Sequence, residues 1–126
     1  MPEIPNLWPE FVEPEILTPL SILKAQAASL GAQTSHLLEG ETTSRSTSRG
    51  GFEHKFYIYA PTLDYRLEIL RIDHPLDFYP MKGSAWGGEF LDINDEQQFL
   101  QWIKNVFSSE RTRKAIQSLL AQTKSA

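Results

Sequence analysis

The segment Glu53-His54-Lys55 carries a carboxylate and an amine two residues apart, so a strand would place both side chains on the same face. Carboxylate oxygens hold divalent cations, and a nearby lysine can orient the water molecule that such a cation activates. Glu41 lies a short loop upstream and could sit beside Glu53 across that loop. Glu41, Glu53 and Lys55 are therefore the residues from which a metal-dependent nuclease could be built.

The Glu-x-Lys spacing resembles the motif of the PD-(D/E)XK nucleases, in which an acidic residue from the preceding strand completes the cation site. The proline–aspartate element that would precede the motif is missing from this chain, and a three-residue pattern often arises by chance. Lys55 also has a structural explanation as the cross-strand partner of Glu68. We therefore keep the nuclease-like enzyme as an alternative and expect a protein without catalytic activity.

The other polar residues predict no cofactor, no metal ligand and no catalytic residue. The three histidines, at positions 36, 54 and 74, lack the spacing of a metal clamp, and the chain has no cysteine to complete a site. His54 falls on the predicted buried face, where a hydrogen-bonded structural histidine is commoner than a ligand. The absence of cysteine excludes disulfides and cysteine catalysis, and no Gly-x-Ser-x-Gly elbow marks a nucleophilic serine.

Residues 52–73 predict two antiparallel strands that fold back on each other at Pro61-Thr62. One face of this hairpin, which includes Phe56, is almost wholly apolar and is expected to form the core. The opposite face combines paired charges with tyrosine and arginine, two residue types that are enriched at protein contacts. A slightly longer loop with the same pairing of faces is left open. The predicted register pairs Tyr59 with Asp64, Tyr57 with Arg66 and Lys55 with Glu68.

The segment 78–86 offers a second type of binding surface. Phe78, Tyr79 and Trp86 lie in a region rich in glycine. Glycine allows a ligand to approach the backbone closely and aromatic rings allow stacking, so this region could bind a small molecule. The competing explanation is that these aromatic side chains cover the open end of the core. A small-molecule-binding domain that uses the region from Phe78 to Trp86 is therefore a second alternative.

Residues 1–17 predict an irregular arm, because the prolines at positions 2, 5, 9 and 14 prevent a helix from passing through. We predict that the arm is ordered and packed, with Trp8 at least half buried and Trp8 or Phe11 anchored in a groove. Whether that groove belongs to the same chain or to a second copy across a twofold axis is left open. The arm is too apolar for a free tail, since it contains Ile4, Leu7, Trp8, Phe11, Val12, Ile16 and Leu17.

The two ends of the chain carry opposite charges. Residues 1–18 contain four glutamates and no basic residue, whereas residues 104–126 contain five basic residues and one glutamate. The arm could therefore dock on the last helix, in the same chain or in a neighbouring one, although two solvated faces would show the same pattern. The whole chain has a formal net charge of −4, which disfavours a nucleic-acid partner.

The first half of the chain predicts one helix and one strand before the hairpin. Thr18 and Pro19 are a helix cap and a first helical residue, and Gly31 supplies the stop. A first strand is expected at about 33–42, followed by a flexible low-complexity loop over 42–51.

After the hairpin the chain predicts one or two short strands and then two helices. Asn94 is expected to cap the first of these helices, and Ser108 or Ser109 the second. The predicted fold is therefore α+β, with one domain over residues 1–126. It has an N-terminal arm and helix, an antiparallel meander sheet of three to five strands, and two C-terminal helices packed on one face.

Composition predicts where the protein acts. The chain has no run of eighteen apolar residues, so we expect no membrane span. Its first twenty residues contain five prolines and four acids before any base, the opposite of a signal peptide. We expect a soluble cytoplasmic protein.

These patterns together predict a small protein-interaction module without catalytic activity, such as an adaptor, a chaperone or an inhibitor of a partner protein. The partner is expected to be another protein, and a homodimer is one form that the interaction could take. The residues predicted to make the contacts are Tyr57, Tyr59, Arg66, Tyr79, Trp86, Trp8 and Phe11.

Overall fold

A computed structural model describes residues 3–126 of the chain. Its elements are α1 (Pro19–Gln33), β1 (Glu39–Ser46), β2 (Phe52–Ala60), β3 (Tyr65–His74), β4 (Met81–Ala85), β5 (Leu91–Ile93), α2 (Glu96–Ser108) and α3 (Glu110–Ser125). Within the described residues the five strands form one antiparallel sheet in the order β1-β2-β3-β4-β5. The predicted α+β class and meander are therefore confirmed, and the sheet has the largest number of strands that the sequence predicted.

The first helix begins at the predicted cap and ends later than predicted. The hydroxyl of Thr18 accepts a hydrogen bond from the backbone N–H of Ser21, and Pro19 is the first helical residue. The helix continues through Gly31 to Gln33, and its end is held by the hydroxyl of Thr34, which donates to the carbonyl oxygen of Leu30. The predicted stop at Gly31 is therefore wrong.

The two C-terminal helices also begin at side-chain caps. Asp95, rather than the predicted Asn94, caps α2 by accepting a hydrogen bond from the backbone N–H of Gln98. The amide oxygen of Gln98 in turn accepts from the backbone N–H of Asn94, the residue before the cap. Ser109 caps α3, as predicted. No helix within residues 3–126 is both long enough and apolar enough to cross a membrane.

The core lies between one face of the sheet and all three helices. Phe56 and Ile58 of β2 are 2% and 1% exposed, whereas Tyr57 between them is only partly buried. The predicted core face of the hairpin is therefore confirmed. The buried apolar side chains come from α1 (Ile22, Leu23), from the sheet (Phe56, Ile58, Ala60, Ile69, Leu70, Ile72, Met81, Ile93), from α2 (Phe99, Ile103, Val106) and from α3 (Leu119).

The β2–β3 hairpin has the predicted faces but not the predicted register. Its turn is a 3-10 helix over Pro61–Leu63, followed by Asp64 at a φ of 48°. The predicted two-residue turn is wrong because proline does not adopt the positive φ angles that such turns need. The longer turn places Tyr59 opposite Arg66, two positions further along β3 than predicted.

A β-bulge follows in the same hairpin. Phe56 pairs with Leu70 and Tyr57 pairs with Glu68, which leaves Ile69 without a partner on β2. Ile69 and Leu70 are both 1% exposed, although neighbouring residues of a regular strand face opposite sides. The bulge therefore turns two consecutive apolar side chains into the core, and beyond it the even-numbered residues of β3, such as Leu70 and Ile72, face the core in place of the odd-numbered ones.

The structure corrects the predicted first strand and the predicted loop. Residues 34–38 form a turn in which Ser35 and His36 have positive φ angles of 51° and 63°, so β1 starts only at Glu39. β1 then occupies the first half of the predicted loop over 42–51, and the turn to β2 covers only residues 47–51. The strand was missed because its small polar residues lack the apolar alternation that marks a strand.

Candidate functional site

The N-terminal arm, described over residues 3–17, is exposed along its whole length. Trp8 and Phe11 are each 76% exposed, and their ring centroids lie 6.3 Å apart. The prediction that Trp8 is at least half buried is therefore wrong within this chain, because the core is enclosed without any arm residue. Packing across a second copy stays a prediction. The arm thus presents two neighbouring aromatic side chains to the surroundings.

A groove between α1 and the α2–α3 pair runs over the sheet, and we call it the helix groove. Its floor consists of Phe56, Ile58 and Ile69, and its volume is about 410 Å³. Pockets that bind ligands and side chains have volumes of about 300–1,000 Å³, so the helix groove can accept a large apolar side chain. Its walls also include Leu30, Leu100, Ile103, Phe107 and Ile116, with Gln26, Ser29, Gln33 and Lys104 as polar lining.

The sheet face opposite the helices carries Tyr57, Tyr59 and Arg66, which were predicted to share one surface. The guanidinium carbon of Arg66 lies 4.0 Å from the centre of the Tyr59 ring, and its Nε donates to Glu41 at 2.6 Å. The hydrogen bond from Arg66 to Glu41 is also the main cause that raises the pKa of the guanidinium. These groups already satisfy one another, so the surface offers a polar contact area rather than an apolar anchor.

Glu53 is buried between two arginines on the same face. Its carboxylate is 3% exposed and accepts two hydrogen bonds from Arg45, from Nε and from one terminal nitrogen, each at 2.9 Å. A terminal nitrogen of Arg71 lies 2.8 Å from the same carboxylate. The hydrogen bonds from Arg45 are the largest cause that lowers the pKa of Glu53. The carboxylate is therefore held in its charged form by its own chain.

The nuclease alternative requires Glu41, Glu53 and Lys55 to converge, and the structure does not bring the two carboxylates together. Glu41 lies opposite Tyr57, four positions along the ladder from Glu53, which corresponds to about 13 Å at the rise of a strand. Lys55 Nζ lies 3.6 Å from the Glu68 carboxylate, as expected, but the pair is diagonal, because Lys55 lies opposite Arg71 and not opposite Glu68. Among the described residues no group of three or more histidines and acids could hold a metal ion.

The Glu53→Gln variant should be less stable, and the loss should depend on pH. At pH 7 we expect a decrease of about 1.5–3 kcal/mol in the free energy of unfolding, the range for hydrogen bonds to charged groups. Since folding lowers the pKa of Glu53, this stability is present above the ordinary value of 4.5 and is lost as the pH falls through the lowered folded value. The difference in the free energy of unfolding between Glu53→Gln and the unmodified chain should therefore be smaller at pH 3 than at pH 7, which urea melts at the two pH values measure.

Glu68→Gln is the matched control, because the Glu68 side chain is 40% exposed and its ion pair with Lys55 is longer. The control should cost less than about 1 kcal/mol at either pH. Equal losses at pH 7 for the two variants would contradict the stabilising role assigned to the buried carboxylate.

A hydrogen-bonded chain of Ser44, His54 and His74 runs from the edge strand into the core. The hydroxyl of Ser44 lies 2.7 Å from Nδ1 of His54, whose Nε2 lies 2.9 Å from Nε2 of His74. Nδ1 of His74 lies 2.7 Å from the carbonyl oxygen of Pro75, which can only accept. With both rings neutral, His74 therefore donates to Pro75, His54 donates to His74, and Ser44 donates to His54.

Burial determines the electrostatics of this chain. His54 and His74 are 4% and 7% exposed. Burial, and secondly the neighbouring imidazole of His74, lowers the pKa of His54, so His54 is a neutral base at pH 7. A buried, hydrogen-bonded His54 was predicted, but its partners were not. Finding them requires the register of β1, in which Ser44 lies opposite His54.

The aromatic residues of segment 78–86 lie at separate structural positions. The indole nitrogen of Trp86 donates to the hydroxyl of Thr112 at 3.1 Å, and Arg111 lies over its ring at 4.5 Å, so Trp86 joins the end of β4 to α3. The Tyr79 hydroxyl is buried and has no hydrogen-bond partner among residues 3–126, and burial raises its pKa to about 12. Neither Tyr79 nor Trp86 lines the helix groove.

No family model, curated protein or solved structure matches this chain. Function therefore has to be inferred from the geometry alone. The predicted contact residues lie in four separate regions: Trp8 and Phe11 in the arm, Tyr57, Tyr59 and Arg66 on the open sheet face, Trp86 against α3, and Tyr79 near Asp95 and Glu96 at the start of α2. The helix groove, the two arginines around Glu53 and the Ser44–His54–His74 chain were not predicted from the sequence.

Proposed function

We propose that this protein is an interaction module that docks on a partner protein through its N-terminal arm. The observation that carries the proposal is the exposure of Trp8 and Phe11, at 76% each, next to one another on a segment outside the core. Docking of this kind needs no catalysis, so it suits an adaptor, a chaperone or an inhibitor acting in the cytoplasm.

The free energy for docking comes from the apolar side chains of the arm. Ile4, Leu7 and Val12 are 84–90% exposed, in addition to the two aromatic residues. Each such side chain contributes roughly 1.5–3 kcal/mol when it is fully buried. The prolines restrict the free arm, so ordering it against a surface costs less entropy than ordering an ordinary tail. Tryptophan is also a common hot-spot residue at protein interfaces.

The charge of the arm limits the kind of surface that can receive it. Four glutamates alternate with the apolar residues of the arm. The receiving surface should therefore combine an apolar recess for Trp8 or Phe11 with basic side chains around it. The direct test is whether a photoreactive group at position 8 is captured by one defined protein.

A second copy of the chain is the partner that this chain's own surface favours. The helix groove is apolar, has a suitable volume and is lined by Lys104. The α3 helix that borders it carries Arg111, Arg113 and Lys114 in its first turns. We therefore propose that the arm of each copy can occupy the helix groove of the other, which gives a twofold symmetric dimer.

Deletion of residues 1–12 tests the dimer by mass. Light scattering of the full chain should give twice the chain mass of 14.4 kDa, and the deletion variant should give a monomer. The deletion variant should have the melting temperature of a full-length monomer, because the described arm residues 3–17 contribute nothing to the core. Leu76→Ser is a control, since Leu76 is 71% exposed outside the arm, and it should leave the mass unchanged. A monomeric full chain would rule out the dimer and leave a foreign partner.

A further inference from the structure

Ser44 is the exposed end of the chain formed by Ser44, His54 and His74. Its hydroxyl donates to an imidazole nitrogen, and the other nitrogen of that ring is held by a second imidazole. The second ring is in turn fixed on a backbone carbonyl. A hydroxyl bonded to a neutral base, with the base oriented by a third group, is the arrangement that activates serine nucleophiles.

We propose that Ser44 is a reactive nucleophile that accepts the acyl group of a small carboxylic ester, with His54 as general base and His74 as the residue that positions His54. This inference is independent of the proposed docking role, because none of the three residues belongs to the arm or to the helix groove.

The backbone of Ser44 adds a hydrogen-bond donor at the same place. β1 is an edge of the sheet, and the turn that follows it bonds the N–H of Thr47 to the carbonyl oxygen of Gly51. Thr47 and Gly51 are therefore a hydrogen-bonded pair of the ladder. Bonded and non-bonded pairs alternate along antiparallel strands, so Ser44 and His54, three pairs further along, are a non-bonded pair. The N–H of Ser44 therefore points away from β2, toward the open edge, where it can donate to the developing oxyanion.

The chemistry is an ordinary acyl transfer in two steps. The Ser44 oxygen bonds to the ester carbonyl carbon while its proton moves to Nδ1 of His54, and the bond to the leaving alkoxide then breaks as His54 returns that proton to form an alcohol. Water attacks the acyl-serine with the same base and releases a carboxylic acid, which restores the hydroxyl. His74 touches no substrate and fixes the orientation and tautomer of His54 by accepting its Nε2–H.

The position of Ser44 favours a small acyl group. A second cavity lies beside Glu53 and is lined by Arg45, Gly51 and Arg71. Ser44 lines neither this cavity nor the helix groove. Neither recess is therefore available to hold a long acyl chain. An open sheet edge can still hold an extended substrate through backbone hydrogen bonds, as in strand addition.

A fluorophosphonate probe tests the nucleophile on the full chain. The serine oxygen displaces fluoride from phosphorus, so mass spectrometry of the digested protein locates the adduct. We expect one adduct on Ser44, together with hydrolysis of 4-nitrophenyl acetate, and loss of both in Ser44→Ala. Ser46→Ala is the matched control, because Ser46 is exposed two positions along the same face and lies opposite Phe52. It should react as the unmodified chain does.

Substitution of the histidines separates a base from a positioning residue. His54→Gln should slow labelling by about 100-fold or more, the lower range for general base catalysis. Burial is the largest cause that lowers the pKa of His54 and the neighbouring imidazole of His74 is the second, while Asp73, Glu53 and Lys24 have smaller effects. The His74→Gln variant lacks a group that lowers the pKa of His54, so the pH at which its labelling rate rises should be higher than in the unmodified chain. Loss of structure alone would not move this pH.

Three results would overturn the proposal. They are labelling of Ser44 no faster than labelling of Ser46, equal reactivity of Ser44→Ala and the unmodified chain, and an unshifted pH profile in a folded His74→Gln variant. If a histidine variant does not melt cooperatively, the comparison of Ser44→Ala with Ser46→Ala still tests the proposal. Both serines are exposed, so neither substitution should disturb the fold.

Discussion

Phe56→Ala is expected to lower the free energy of unfolding by about 3–5 kcal/mol. Phe56 is 2% exposed, forms part of the floor of the helix groove and lies 5.1 Å from the ring of Phe107. Removing its ring leaves a cavity between the sheet and α2, because the surrounding backbone can collapse only in part. Urea melts followed by circular dichroism measure this loss, and the slope of the transition shows whether the denatured state has changed.

Tyr57→Ala is the matched control for Phe56→Ala. Tyr57 is the next residue of the same strand, faces the opposite side of the sheet and is only partly buried. We expect it to cost about 1 kcal/mol, the centre of the distribution for single substitutions. Equal losses for the two variants, or a larger loss for Tyr57→Ala, would mean that the core lies on the other face of the sheet.

The double variant Trp8→Ala, Phe11→Ala should abolish docking without changing the fold. Hot-spot aromatic residues contribute about 2 kcal/mol or more each, and about 1.4 kcal/mol corresponds to a tenfold change in affinity. We therefore expect the dissociation constant of the complex, whether with a second copy or with a foreign protein, to rise by about 100-fold or more. Analytical ultracentrifugation with fluorescence detection measures this constant.

The free energy of unfolding of the double variant should change by less than about 0.5 kcal/mol, because both side chains are 76% exposed in the isolated chain. Leu76→Ala removes an equally exposed apolar side chain outside the arm and should leave affinity unchanged. A loss of stability in the double variant with no loss of affinity would show that the arm packs on its own chain instead.

The parts of the fold that the sequence predicted correctly depend on local patterns. Helix caps are one such pattern, as at Thr18, which precedes Pro19, and at Ser109. The burial of Phe56 and the exposure of part of Tyr57 follow from the alternation of side chains along a strand. The fold class follows in turn, because a helix, several strands and two helices have few ways to enclose one core.

The parts that the sequence could not predict depend on contacts between distant residues. The bulge at Ile69 exists because two consecutive apolar residues enter one core, which a regular strand does not allow. β1 is a strand because it pairs with β2 and packs under α1, where a Cβ at Gly40 would overlap Ala27. Its own residues give no strand pattern, so the expected loop there was wrong.

In the candidate sites, too, local features could be predicted from the sequence and contacts between distant residues could not. The apolar character of the arm is visible in the sequence, but composition does not say which surface covers it, and of the two surfaces left open for Trp8, the one on its own chain does not cover it. The partners of Glu53 and His54 became visible only with the register of β1, which places Arg45 opposite Glu53 and Ser44 opposite His54. A hairpin register set by a turn at 47–51 would have been needed to predict either contact.

Photo-crosslinking from position 8 tests the docking proposal most directly. A photoreactive benzoylphenylalanine replaces Trp8 in the native host, and the same residue replaces Leu76 in a control chain, since both positions are more than 70% exposed. The proposal predicts one discrete adduct from position 8 and none from position 76. The mass of the adduct identifies a second copy or a foreign protein. No adduct from position 8, or the same set of adducts from both positions, would contradict docking through the arm.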